Sequence, residues 1–163
     1  MRNWIFVAAL AAGVAFAVPA YAQKAKALTA QDLAEIQQVY ARYAWSIDTH
    51  EGNGKAYADT FTADGVFYGP GDSKVAGREA LAAYNLKMGT ANKAPTHFNM
   101  NIKIDASPEG ARGSCYLLIT GGEKPTVGTI GTYKDVLVKT SEGWKFKERR
   151  LHLNAMPPAS ASN

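Results

Sequence analysis

The chain has 163 residues, 47% of them hydrophobic, with 18 basic and 14 acidic side chains, three histidines and one cysteine. A net charge of +4 without a basic block argues against nucleic-acid binding, and short runs such as KFKERR at Lys145–Arg150 read as solvated faces. One cysteine, Cys115, excludes an intrachain disulfide, and three scattered histidines beside it give no zinc-ligand spacing.

The N-terminal stretch MRNWIFVAALAAGVAFAVPAYAQ places Arg2 before an apolar run from Trp4 to Val18, then Pro19 and the small-x-small site Ala20-Tyr21-Ala22. That pattern is a secretory signal peptide over residues 1–22, too short for a comfortable membrane span. An uncleaved anchor is the alternative. Cleavage after Ala22 predicts a periplasmic or secreted protein with no membrane attachment. Residues 23–28 read as a flexible N-terminus, 29–155 as a single domain, and the Pro- and Ser-rich 156–163 as a disordered tail.

The first helix is well signalled. Thr29 is an N-cap with Asp32 three residues on, and Leu33, Ile36, Val39, Tyr40, Tyr43, Ala44 and Ile47 recur at helical spacing. The helix is predicted from Ala30 to Thr49, broken by Gly52 and Gly54. A short helix follows over Lys55–Thr60, then a glycine-bounded strand, DGVFYG. Arg78 and Glu79 open a third helix, pairing locally, that Gly89 closes after Met88. From Pro95 the pattern becomes strand-like, over residues 96–105, 111–120, 126–140 and 143–153. SPEG, GGEKP and SEG supply hairpin turns. Helices followed by an antiparallel meander predict an α+β fold, its sheet curved around the helices. The convex face is open to a second subunit, so a homodimer is one expected partner. Cys115, between Ser114 and Tyr116, reads as a buried small hydrophobe rather than a nucleophile.

Several segments together resemble a known family: YARYAWSIDTHEGNGKAYADTFTADGVFYGP, GREAL, THFNMN and GTYKDVLVKTSEGWKFKERRLH. Each motif is weak alone, but in this order over Thr29–Asn154 they resemble the SnoaL-like branch of the nuclear-transport-factor-2-like superfamily. The resemblance implies a cone-shaped α+β barrel, three N-terminal helices on a strongly curved, mostly antiparallel sheet. Its open end would hold a small, largely apolar or polyketide-like molecule. Relatives include polyketide cyclases, ketosteroid isomerase, scytalone dehydratase and limonene epoxide hydrolase, so the fold transfers more safely than an activity.

Dehydratase-like members set an aspartate at the end of the first helix beside a pocket histidine. Those positions correspond to Asp48 in SIDTH and His97 in THFNMN, and a pocket tyrosine would fall at Tyr68 in GVFYG. Ile47 stands where the dehydratase has a second tyrosine, residues 111–120 hold no second histidine, and the pocket asparagine falls near Tyr133. These departures argue against scytalone dehydration itself. The pair alone suits general-base chemistry: an imidazole near pKa 6.5 takes a proton while a carboxylate fixes its tautomer. Tyr40, Tyr43, Phe67 and Leu118 would line the pocket and lower its dielectric. Tyr68 would polarise a carbonyl or protonate a leaving hydroxyl. Isomerisation, cyclisation or dehydration next to a carbonyl is the reaction class, and nothing in the chain calls for a cofactor or metal.

Plainer readings stand beside these. Asp48 can cap a turn, and His97 can bond a strand-end carbonyl. Asn101 reads as structural, and Tyr133 and Asp135 as either pocket or structure. A non-catalytic binding or scaffold protein of the same fold is the rival function. His50 lies in a loop and His152 near a strand end, neither beside metal-ligand partners. GPGDS and TGGE are turns rather than phosphate loops, and there is no G-x-S-x-G elbow.

Overall fold

The computed structural model describes residues 25–91, 95–121 and 126–154. The expected leader, the expected tail and most of the GGEKP turn lie outside these residues. Three helices, α1 (Ala30–Thr49), α2 (Lys55–Ala58) and α3 (Arg78–Ala91), pack on one six-stranded sheet. Its strands are β1 (Phe61–Tyr68), β2 (Lys74–Ala76), β3 (Thr96–Ser107), β4 (Gly110–Gly121), β5 (Thr126–Thr140) and β6 (Gly143–Leu153). The order is β2-β1-β6-β5-β4-β3, antiparallel except for the parallel β1–β6 pair. The α+β class and the mostly antiparallel sheet are as expected, with β2 and β3 left as open edges.

The first helix follows its sequence signals. The Thr29 hydroxyl accepts from the Asp32 N–H at 3.1 Å, and the Asp32 carboxylate accepts from the Thr29 N–H at 3.0 Å. This reciprocal box satisfies two amides that a helix start leaves orphaned. Asp32 also accepts from Lys139 Nζ at 2.8 Å and Trp144 Nε1 at 3.0 Å, tying α1 to the β5–β6 hairpin. Ile36, Val39, Tyr40, Tyr43 and Ile47 fall on the face that meets the sheet and are buried. The helix ends at His50, whose left-handed backbone (φ 54°) lets its N–H return to the Ser46 carbonyl.

Other elements differ from expectation. Strand β2 carried no sequence signal at three residues. Helix α3 continues through Gly89 to Ala91, since glycine weakens a helix by about 1 kcal/mol without ending it. Arg78 pairs with Asp59 at the end of α2 rather than with a neighbour on its own helix. That pair joins α2 to the start of α3.

Two bulges set which side chains enter the core. In β3 the pairing shifts between Met100 and Lys103, where Asn101 takes φ 52°. Before the shift His97 and Asn99 face α1; after it Ile102 and Ile104 pack inward. Asn101 is exposed at this bulge, in a left-handed backbone conformation that asparagine tolerates. In β6 the shift falls between Phe146 and Glu148, so Trp144 and Phe146 point inward before it and Arg149 after it. The opposite face of the sheet carries Phe98, Met100, Tyr116 and Ile130, each 39–55% exposed. This is the face expected to meet a second subunit.

Candidate functional site

Asp48 occupies the last turn of α1, and His97 is the second residue of β3. Forty-nine positions apart in sequence, the two side chains meet. One carboxylate oxygen lies 2.5 Å from His97 Nδ1, and the other accepts the His97 backbone N–H at 2.9 Å. The carboxylate therefore holds ring and backbone together. An ionised carboxylate only accepts, so Nδ1 carries the proton and Nε2 keeps its lone pair. Among the described residues Nε2 has no hydrogen-bond partner. His97 is buried, with 7% of its surface exposed, while Asp48 is half-buried.

Asn85 of α3 braces this end of the helix. Its buried amide donates to the Ile47 carbonyl at 3.1 Å and lies 3.3 Å from His50 Nδ1. Nothing in the sequence distinguished Asn85 from any other polar helix residue. Its role follows only from α3 crossing the end of α1.

Deeper in the fold Asp135, read from the sequence as either pocket or structure, meets Arg149, which sequence reasoning missed. Arg149 is fully buried, its guanidinium 3.7 Å from the ring centroid of Tyr133, 4.1 Å from Tyr43, 4.5 Å from Phe146 and 5.1 Å from Tyr40. It donates to Asn99 Oδ1 at 3.2 Å, and its Nε is 3.7 Å from Asp135 Oδ1. Tyr40 donates to the other Asp135 oxygen at 2.5 Å. Gly113 makes room for that bond, because a side chain there would run into the Tyr40 hydroxyl. Burial pushes the Asp135 carboxyl up to about 6, with Arg149 and Tyr40 pulling the other way. Burial also opposes the Arg149 charge, but Asp135 and the surrounding phenols outweigh it and hold the guanidinium above its ordinary value. The KFKERR run is thus no uniformly solvated face: Arg149 is the largest fully buried side chain of the protein's described part.

The expected pocket residues divide by face. Tyr40, Tyr43, Phe67 and Tyr133 lie between α1 and the sheet in one aromatic cluster, with Tyr43 to Tyr133 at 5.8 Å and Phe67 to Tyr133 at 6.5 Å. The Tyr43 and Tyr133 hydroxyls stand 3.4 Å apart. Tyr68 and Leu118 do not join them. Phe67 points inward, so the next residue points out, and the Tyr68 ring lies 3.8 Å beneath the Arg150 guanidinium on the far face. Tyr68 therefore cannot act as the acid beside His97 in this arrangement. Leu118 pairs with exposed Phe98 and Ile130 on that same far face, and its neighbour Leu117 is the one that enters the core. Cys115 is buried, as expected, and burial pushes its thiol up to about 11, away from nucleophilic use.

Among the described residues no group of three or more His, Cys, Asp or Glu could hold a metal ion. A cleft of about 890 Å³ opens on the outer side of α1 and α2, lined by neither Asp48 nor His97. Volume and acid–base geometry thus point to different places. Among the described residues the Asp48–His97 pair is where a carboxylate directly holds an imidazole ring.

The sequence matches the SnoaL-like domain family over residues 28–150, most of the chain. The protein belongs to the SnoaL-like family. No curated protein matches it. Solved structures agree on the fold. A protein of unknown function from Mycobacterium tuberculosis is 24% identical, with a TM-score of 0.72, covering 83% of this chain and 84% of its own. A Catenulispora acidiphila protein, solved in complex with S-DNPA, is 32% identical with a TM-score of 0.67, covering 77% and 95%. A Novosphingobium aromaticivorans protein, provisionally named scytalone dehydratase, is 25% identical with a TM-score of 0.65, covering 77% and 85%. The SnoaL-like assignment accounts for the order of the motifs and for the cystatin-like topology that such neighbours share.

Proposed function

We propose that this SnoaL-like protein binds a small, largely apolar carbonyl compound and uses His97 as a general base toward it. The observation that carries the reading is the double grip of Asp48 on His97, through Nδ1 at 2.5 Å and the backbone N–H at 2.9 Å. That grip fixes the ring and leaves Nε2 to take a proton from a carbon next to a carbonyl. The Asp48 charge then stabilises the imidazolium until the proton is returned. Enolisation of this kind serves isomerisation, cyclisation or dehydration. The 32% identical structure solved with S-DNPA, and the relative provisionally named for scytalone dehydration, support an organic small molecule as ligand. The leader-like residues 1–22 support export to the periplasm or beyond, which N-terminal sequencing of the exported protein would check.

The test is exchange of α-protons for deuterium in a panel of hydroxy-ketones and polyketide-like enones. His97→Gln is expected to lower exchange by ~10²–10⁴, the range of general-base catalysis, while the variant stays folded. Exchange that survives the substitution unchanged removes His97 from the chemistry.

A second reading, a holder of the same ligand without turnover, is favoured by one placement. Tyr68 stands across the sheet from the pair, so the acid expected there is missing from that position. Saturable binding without any exchange in the wild-type protein would select this reading.

A further inference from the structure

The outer surface of α1 carries a feature that the Asp48–His97 pair does not use. The cleft of about 890 Å³ runs between α1, α2, the start of α3 and the β5–β6 hairpin, within the usual size of a small-molecule site. Trp45 lines it with 69% of its surface exposed, a large apolar ring on a helix face that the core does not need. Arg42 also lines it, one turn earlier on the same helical face.

The cations of the cleft are of two kinds. Arg78 is paired with Asp59, and Lys145 Nζ is held by the Asp59 carbonyl at 3.1 Å and by Glu142 at 2.7 Å. Arg42 and Lys55 have no ion-pair partner among the described residues. The uncommitted carboxylate in the lining is that of Glu51. Two unspent positive charges thus face one unspent negative charge beside an open indole.

The geometry points to a second ligand site here, for a planar aromatic monocarboxylate. Its ring would stack on Trp45 and its carboxylate would pair with Arg42 and Lys55. Each feature of the ligand answers a feature of the cleft. A bare inorganic anion would leave the indole in water, and a neutral aromatic would leave both cations unanswered. A polyanion would meet Glu51 as a like charge. The site is physically separate from His97 and stands whether or not that residue moves protons.

The probe is 2-naphthoate, with 2-naphthamide as its uncharged twin, titrated into isotope-labelled protein. The readout is the indole N–H resonance of Trp45. Trp144 serves as internal control, because its own indole N–H is tied to Asp32 at 3.0 Å. We expect saturable movement of the Trp45 signal with 2-naphthoate and a still Trp144 signal. The amide, and the Arg42→Gln/Lys55→Gln double variant, should each bind about tenfold more weakly, as loss of a charge-assisted contact implies. Trp45→Ala, at an exposed position, should remove binding measured by calorimetry. His97→Gln should leave it intact, which separates this site from the proposed base. A Trp45 signal that stays fixed with 2-naphthoate, or naphthoate affinity unchanged in the double variant, overturns the proposal.

Discussion

Two of the carboxylate–nitrogen pairs in this molecule, one at the end of α1 and one in the core, are built in opposite ways. Asp48 and His97 sit where α1 ends, the carboxylate half-buried and in direct contact with the ring at 2.5 Å. Asp135 and Arg149 sit at the centre, both fully buried, with their nearest atoms 3.7 Å apart and aromatic rings on several sides. The first arrangement leaves one ring nitrogen without a partner among the described residues. The second has both side chains fully buried and places a full charge inside the core. A buried ion pair is poor evidence of net stabilisation, but removing one partner strands the other, which is costly. The contrast separates the proposed site for chemistry from a pair that, with Tyr40, links α1 to β5 and β6.

The largest effect expected from that contrast is on folding. Arg149→Met keeps most of the side-chain volume but strands the Asp135 carboxylate among rings. Urea unfolding should show a loss of about 3–5 kcal/mol, partly recovered in the Arg149→Met/Asp135→Asn double variant. An Arg149→Met protein as stable as the wild type would mean that the central pair supports nothing. His97→Gln, by contrast, should change folding little, since it removes no buried full charge.

The next effect is on pH dependence. The folded Asp135 carboxyl stands at about 6, above an unfolded value near 3.8, because of burial. A group raised on folding favours the native state when protonated. Its contribution is complete below the unfolded value and is lost as pH rises through about 6. The difference amounts to up to about 3 kcal/mol. Between pH 7 and pH 5 the wild-type protein should therefore gain stability relative to Asp135→Asn. Asp32 works in the other direction, held low first by Lys139 and then by Thr29, and loses its contribution only under more acid conditions. Comparing the two proteins at each pH cancels that background. Parallel curves from pH 7 to pH 5 would place Asp135 in a more water-like setting than its burial implies.

The two regions were not equally legible in the sequence. The rim pair could be read because each partner has a local address: Asp48 ends a helix with a strong capping box, and His97 opens a strand after Pro95. The central pair could not, because its address depends on a bulge. Trp144 and Phe146 set an inward phase that strict alternation would carry to Glu148, turning Arg149 to solvent. The shift before Glu148 reverses that phase, and no glycine or proline in KFKERR marks it. Leu118 shows the simpler failure. Leu117 and Leu118 are equally apolar, and only the small inward residues Gly113 and Cys115 fix which of them faces α1. Tyr68 failed because the resemblance supplied a residue type without the strand phase that aims it. The helices and every strand but the three-residue β2 depend on local chemistry and were readable. The aim of individual side chains depends on register and was not.

The smallest effect tests the rim side of the comparison without needing a substrate. In Asp48→Asn one amide oxygen can still accept a single N–H, but the amide NH₂ group now faces the other donor. If it faces Nδ1, the favoured tautomer moves the proton to Nε2 and leaves Nδ1 as acceptor. Nitrogen chemical shifts of His97 should accordingly report a proton on Nδ1 in the wild type and a shifted mixture in the variant. The stability cost should be only about 1 kcal/mol, one hydrogen bond at a half-buried position, far below that of Arg149→Met. A His97 ring whose tautomer is the same in both proteins would show that Asp48 anchors the strand through the backbone N–H alone. The rim pair would then be as purely architectural as the core pair, and the distinction between them would collapse.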